Sequence, residues 1–575
     1  MFTVSGLLSD YRSGSRDPLA VAHEVLDLIE AETEPVWISR LAPEVLLAAA
    51  AALSHRGDAD CLPLYGIPFA VKDNIDVAGL PTTAACRHLD EPAMGSAVVV
   101  ERLIAAGALF VGKTNMDQFA TGLVGTRSPY GALSTVGHPQ HISGGSSSGS
   151  AVAVARGQVA FSLGTDTAGS GRVPAAFNGL VGCKPTLGLI STRGVLPACA
   201  SLDCVSIFTH TVADAAIVLE VATGYDGDDP WSRAQRPSLR ARRGVLGVPL
   251  PAQAELDEPR AERAWEAALE RAGGHWEIEQ VDIGPLLDAA PLLYDIWIAE
   301  RAAAIGGLIE QLPDGIDPTV GEIIASGARR SAVDVFDANH TLARLRRAAE
   351  LIWEQVDALL LPTAPSHPTH ADVAAAPISI NERLGRYTNF VNLMDLAGLA
   401  MPAAERADGL PFGITLLAPA WADQRLLELG AEWLGEAPHE LQQPDTIVLA
   451  VAGAHMQGLP LSHQLTDWGA RPLHRVRTAP NYRFYELPGE GVRRPGLVRV
   501  HRGGAAIEVE LWEIAPQALG VLVGKVSPPL AIGTVELADG REVTGFVCEG
   551  YVVDGATDIT SHGGWRAYLD TLTRS

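Results

Sequence analysis

The sequence predicts a large α/β domain followed by a smaller β-rich one. Three observations carry this reading. The chain has 575 residues, more than a single domain ordinarily holds. Helical and strand-like segments alternate through most of it, as in α/β domains. After a polar, Pro-containing stretch at Glu436–Asp445 (EAPHELQQPD) the pattern turns to short strands, which sets the expected domains at residues 1–440 and 446–575.

The elements follow in order. DPLAVAHEVLDLIEAE repeats apolar residues at helical spacing, with Asp17-Pro18 as cap and first-turn proline, and Pro43–Leu53 continues in the same way. Leu64–Val71 is a short apolar run bounded by Pro and Gly, the pattern of a buried strand. Val98–Ala106 reads as helix and Ala108–Val111 as strand. Gly122–Gly194 is rich in Gly, Ser and Thr yet apolar enough to be buried, which favours a centre lined by backbone over a linker. Glu258–Leu434 returns to helical text, interrupted by strands at Ala358–Pro362 and Gly413–Leu417. Beyond the boundary, Thr446–Val451, Leu473–Leu487, Gly496–Val500, Ala506–Glu513 and Gly533–Leu537 read as strands, with Asp539-Gly540 as a hairpin turn.

Composition narrows the function. The 43 Lys+Arg against 68 Asp+Glu give a net charge of −25, which argues against a nucleic-acid backbone or an anionic membrane as partner. A small anion held by local cations stays open. At 47% hydrophobic the chain can bury large cores and is too apolar for disorder. No apolar run is long enough to span a bilayer, and MFTVSGLLSDYRSGSRDP lacks the basic start and apolar core of a secretory signal. Six cysteines lie scattered without C-x-x-C spacing. A reduced, cytoplasmic protein without disulfide framework or metal site is the expectation.

Three segments carry chemistry. In Val71-Lys72-Asp73-Asn74 a lysine ends an apolar strand. Such a residue is usually solvated, but a desolvated lysine loses proton affinity and becomes a base near neutral pH. Gly144-Gly145-Ser146-Ser147-Ser148-Gly149-Ser150 lacks the Gly-Lys-Ser/Thr ending of a phosphate loop, and no basic residue follows until Arg156. It contains Gly145-x-Ser147-x-Gly149, the spacing of a nucleophile elbow, but STVGHPQHIS before it makes a poor strand, so that reading is set aside. In Gly164–Pro174, small residues flank Ser170 and allow close approach of a substrate. The successive N–H groups of Thr167, Ala168, Gly169 and Ser170 can converge on a developing oxyanion.

Taken together and in this order, the three segments resemble the amidase signature family, over roughly the first three quarters of the chain. Ser146 and Ser170 lie 24 positions apart, which matches the family. The resemblance implies a mixed β-sheet core covered by helices and no cofactor or metal. It makes Ser170 the acyl-forming nucleophile, Ser146 an intermediate serine often bound through a cis peptide, and Lys72 the base. A proton passes from Ser170 to Ser146 to Lys72, so no histidine is needed. Thr167, Ala168 and Gly169 would form the oxyanion hole, Asp166 and Arg172 a supporting ion pair, and Gly122 a substrate contact.

Within that family, Lys113–Ser128 (KTNMDQFATGLVGTRS) resembles the allophanate hydrolases, whereas amidotransferase subunits usually carry Glu where Gln118 stands. Val451–Leu465, Thr478–Arg483 and GTVELADGREVTGFVCEGY look like the allophanate hydrolase C-terminal domain. That implies a γ-glutamyl cyclotransferase-like fold, assigned in the family to decarboxylation, with His455 as candidate base and His463 second. The implied reaction releases ammonia from the terminal amide of allophanate. The N-carboxycarbamate product then yields more ammonia and carbon dioxide. A carboxylate substrate calls for an Arg fork. The family's substrate Tyr and Arg fall at Tyr294 and Arg301 in LLYDIWIAER, one residue shorter than the family form; a helical surface pair is the other reading of that spacing. The implied partners are allophanate, a second copy in a homodimer, and a urea carboxylase or biuret hydrolase upstream. Two alternatives stand beside this: an amidase for malonamate- or biuret-type amides, and an ammonia-supplying amidotransferase subunit.

Overall fold

The computed structural model describes residues 2–56, 59–235, 244–439, 446–468, 470–489 and 491–574. Described residues between 2 and 439 form one compact unit and those from 446 to 574 a second. Residues 440–445 of the expected boundary lie outside the described residues.

In the first unit the strands are β1 (Trp37–Arg40), β2 (Pro68–Lys72), β3 (Leu109–Thr114), β4 (Ser134–Thr135), β5 (His138–Ile142), β6 (Phe161–Asp166), β7 (Val181–Lys184), β8 (Cys204–Thr209), β9 (Val245–Pro249), β10 (Glu277–Val281), β11 (Ala358–Pro362), β12 (Leu396–Glu405) and β13 (Pro411–Pro419). Eleven form one sheet in the order β1-β3-β2-β6-β8-β7-β12-β13-β11-β9-β10. It is mixed: β2 runs parallel to β3 and β6, while β8 runs antiparallel to β6 and β7. Every residue of β2, β3 and β6 is buried, as expected of parallel strands covered on both faces. One apolar cluster packs Val21, Val25, Val99 and Leu103 of the flanking helices onto these strands. A second gathers Leu123, Ala168, Val173, Phe390 and Trp353 beside the Gly-rich segment.

The helix Pro18–Glu30 starts where its cap predicts, with Asp17 Oδ1 accepting the Ala20 N–H at 2.8 Å. Other elements depart from the sequence reading. Leu64–Ile67 is a turn with Gly66 at φ +68°, so the strand begins only at Pro68. STVGHPQHIS, read as a poor strand, holds the small separate hairpin of β4 and β5.

The second unit contains β14 (Ile447–Val451), β15 (Arg471–Arg477), β16 (Tyr482–Glu486), β17 (Pro495–Arg499), β18 (Glu508–Ile514), β19 (Leu530–Glu536), β20 (Glu542–Cys548) and β21 (Thr557–Asp558). They form a five-stranded sheet, β15-β18-β14-β20-β19, and a three-stranded one, β17-β16-β21. Leu473–Leu487, read as a single strand, is two, because Pro480 offers no N–H and the Thr478 and Ala479 N–H groups turn to Ile507 O and Glu536 O. The Asp539-Gly540 turn joins β19 to β20, with Gly540 at φ +85°. Helices at Ser462–Asp467, Pro516–Val523 and Trp565–Arg574 were not read from the sequence. Tyr482, Phe484, Trp512 and Trp565 fill the core. Among the described residues no helix is long and apolar enough to cross a membrane.

Candidate active site

The parallel pairing of β2 with β6 sets Val71 opposite Leu163, so both strands deliver their C-terminal residues to one edge. There Lys72 Nζ donates to Ser146 Oγ at 2.7 Å and to Thr165 Oγ1 at 2.8 Å. Asn74 Nδ2 also donates to Thr165 Oγ1, at 3.3 Å. The peptide Gly145–Ser146 is cis. The N–H of Asp117 donates to Ser146 O at 3.0 Å, and Asp117 itself collects the N–H groups of Val124, Gly125 and Arg127. Ser147, the elbow position, is spent on β6: its hydroxyl donates to Thr165 O at 3.1 Å and accepts the Thr165 N–H at 3.3 Å.

Lys72 and Ser146 are fully buried. Burial pushes the Lys72 ammonium down to about 7, against the pull of Asp117, Asp203 and Asp166 and with help from Arg301. Among the described residues no carboxylate forms an ion pair with it. A lysine in this setting is neutral in a large fraction at physiological pH and holds a lone pair for a hydroxyl proton.

Beyond β6 the chain forms the nucleophile loop. Arg172 grips Asp166 with two hydrogen bonds, Nε to Oδ2 at 2.9 Å and Nη2 to Oδ1 at 2.8 Å, and both side chains are fully buried. Burial disfavours the Asp166 charge, yet the guanidinium holds its carboxyl below the usual range. Gly169 has φ +135°, and a Cβ there would sit 2.5 Å from Thr388 Oγ1, so this position needs glycine. The N–H groups of Thr167, Ala168, Gly169 and Ser170 find no acceptor among the described residues. Ser170 is buried, and among the described residues no hydrogen bond joins its hydroxyl to Ser146. Gly122, at φ +153°, lies where a Cβ would come within 2.7 Å of Asp117 Oδ2.

Arg301, on the helix Ile298–Gln311, is 2% exposed and so no surface residue. Its Nη1 donates to Ala120 O at 3.2 Å and to Thr121 Oγ1, while its Nε is buried without a partner. Tyr294 is half-buried against the second cluster and forms no hydrogen bond with Arg301. In the second unit, His455 stacks on Phe546 with ring centroids 5.1 Å apart, and its Nε2 lies 3.2 Å from Gln464 Oε1. It borders a cavity of about 40 Å³ together with Gly453 and Arg494. Burial lowers its pKa. His463 is exposed.

Sequence reasoning missed Thr165, Asp117, Asp203 and Asn392. Asp203 accepts the Thr167 hydroxyl and the Ala198 and Cys199 N–H groups, and Asn392 Nδ2 donates to Asp166 O and Leu202 O, both at 2.7 Å. Each is a polar residue buried within or beside the Gly-rich centre. Their place inside the quoted motifs could have flagged Asp117 and Thr165.

A mixed sheet that brings a buried lysine onto a loop serine, with a second buried serine in a loop whose N–H groups find no acceptor among the described residues, has the features of an amidohydrolase. The chain belongs to the amidase family, which it matches over residues 20–427, and it carries the allophanate hydrolase C-terminal domain over residues 447–570. Urea amidolyase of Saccharomyces cerevisiae (strain ATCC 204508 / S288c) is 43% identical over 98% of this chain and 33% of its own length. The chain therefore spans about a third of that relative. The solved allophanate hydrolase of Kluyveromyces lactis is 39% identical, covers 99% of both chains and has a TM-score of 0.74. The K. lactis urea amidolyase is likewise 39% identical, over 99% of this chain and 37% of that one, with a TM-score of 0.75.

Proposed function

We propose that this chain hydrolyses allophanate, releasing ammonia and, through N-carboxycarbamate, a second ammonia and carbon dioxide. The observation that carries the reading is the 2.7 Å hydrogen bond between Lys72 and Ser146, taken with a likeness to the K. lactis enzyme along the whole chain.

Neutral Lys72 accepts the Ser146 hydroxyl proton as Ser146 Oγ takes the proton of Ser170. Ser170 Oγ then attacks the carbon of the terminal amide. The oxyanion that forms is met by the N–H groups of Thr167, Ala168 and Gly169, which need no reorganisation because no acceptor among the described residues occupies them. As the C–N bond breaks, the relay returns its proton to the leaving nitrogen and ammonia departs. Water cleaves the acyl-enzyme by the same path in reverse. Asp166 and Arg172 hold the loop, and Gly122 leaves room beside it. Arg301 takes the substrate carboxylate on its unpartnered Nε side, with Tyr294 as a second substrate contact.

In the second unit His455 is the base that assists decarboxylation. A homodimer in the cytoplasm is the working state, supplied with allophanate by a urea carboxylase or a biuret hydrolase. The urea amidolyases extend well beyond the part that this chain matches, which leaves length for a partner activity on the same chain. The test is stoichiometric: wild-type protein should yield two ammonia per allophanate, and Ser170→Ala none above the uncatalysed rate. A Ser170→Ala protein as active as wild type would sink the assignment.

A further inference from the structure

Gln118 follows Asp117 in the chain and is fully buried. Its carboxamide makes three hydrogen bonds, all to backbone. Nε2 donates to Ala85 O at 3.0 Å and to Gly315 O at 2.9 Å, and Oε1 accepts the Asp317 N–H at 2.8 Å. Two carbonyls and one N–H are matched by two donors and one acceptor in a single plane, which among ordinary side chains a primary amide supplies. A buried carbonyl left without a donor is costly, so the match constrains the segments it joins.

Those segments matter for the site. Ala85 lies in the long connection after β2, where Asp73 accepts the Thr83 N–H and pairs with Lys113 at 3.2 Å. Gly315–Asp317 connects the helix Ile298–Gln311, which carries Arg301, to the helix Pro318–Gly327, which Asp317 caps. The next residues after Gln118 receive Arg301, through Ala120 O and Thr121 Oγ1. Ala84, Ala85, Phe119 and Ala120 all have positive φ, between 46° and 59°, conformations that non-glycine residues hold only when their surroundings impose them. The apolar cluster of Met116, Phe119, Ile305, Val320 and Ile324 packs the same segments together. Gln118 is thus the polar centre of the contact that fixes the Arg301 helix against the loop following Lys72.

We propose that Gln118 is a positioning residue for the substrate's anionic end, setting the place of Arg301 relative to the acyl-forming centre. The inference rests on the reading of Arg301 as the carboxylate clamp.

The test compares Gln118→Glu, Gln118→Met and Arg301→Ala in steady-state hydrolysis of allophanate by the full chain. KM does not depend on how much of a preparation is folded, so partial misfolding leaves the result readable. Gln118→Glu should raise KM by at least about tenfold at neutral and higher pH while kcat per active site changes less than about threefold. At lower pH the introduced carboxyl takes a proton and can donate to one of the two carbonyls, so the KM defect should shrink. Gln118→Met should raise KM in the same direction with no such pH dependence. If Arg301→Ala raises KM while both Gln118 variants keep the wild-type KM at every pH, or lose only kcat, Gln118 is merely structural and the proposal fails. If Arg301→Ala itself leaves KM unchanged, the clamp reading is what fails.

Discussion

The two units use burial and charge differently. In the first, Lys72, Ser146, Asp117, Asp166 and Arg172 are all fully buried, and most are held by several partners. In the second, His455 is half-buried and its Nε2 meets the neutral side chain of Gln464. Residues 1–445 carry 31 Lys+Arg against 55 Asp+Glu, and residues 446–575 carry 12 against 13. The comparison teaches that desolvation, not net field, makes the reactive groups. An acidic unit binds an anion only through a local cation, and it turns a lysine into a base only by removing water from it.

The sharpest way to break the contrast is to disarm the first unit. Lys72→Met or Ser146→Ala should lower ammonia release from allophanate by at least about 10⁴-fold, with the fold unchanged by circular dichroism. Activity surviving either change would mean that the lysine relay is not the engine.

Next comes stability. Arg172→Met leaves Asp166 buried and unpaired and should cost about 3–5 kcal/mol in urea unfolding of the first unit. In the second unit Arg499, half-exposed beside Glu536, should cost less than about 1 kcal/mol when replaced by alanine. Equal costs would erase the distinction.

The pH dependence separates the units as well. Protonated Lys72 cannot accept a proton, so kcat/KM for ammonia release should fall about tenfold per pH unit below the lysine's pKa of about 7 and level off above it. Burial holds His455 below its ordinary value, so any acid loss of the later step should set in at lower pH than for a solvated imidazole. A profile that rises toward acid would contradict the neutral-lysine base. Smaller still, His455→Ala should slow carbon dioxide release by less than about a hundredfold and leave the first ammonia untouched. Smallest is Gly540→Ala. At φ +85° it should cost the second unit about 1 kcal/mol, seen in its melting, with no effect on ammonia release.

Much of this was legible in the sequence, for physical reasons. Buried parallel strands read as apolar runs, so β2, β3 and β11 were found within a few residues. The three catalytic segments announce themselves because small residues must flank a nucleophile that a substrate approaches closely. What stayed hidden depends on contacts distant in sequence. Asn392 reaches Asp166 across 226 positions, and Gln118 reaches Gly315 across 197. No periodicity records such pairings. The ambiguity at Arg301 was of the same kind: its spacing fits a surface helix, and only packing shows it buried. Helices of the second unit were lost because its alternating strands dominate the local pattern.

The most direct test of the account is to stop wild-type turnover of allophanate with acid and map the trapped acyl group by peptide mass spectrometry. The account predicts the adduct on Ser170, and its absence from Ser170→Ala. An adduct on Ser146 or Ser147, or continued turnover by Ser170→Ala, would contradict it.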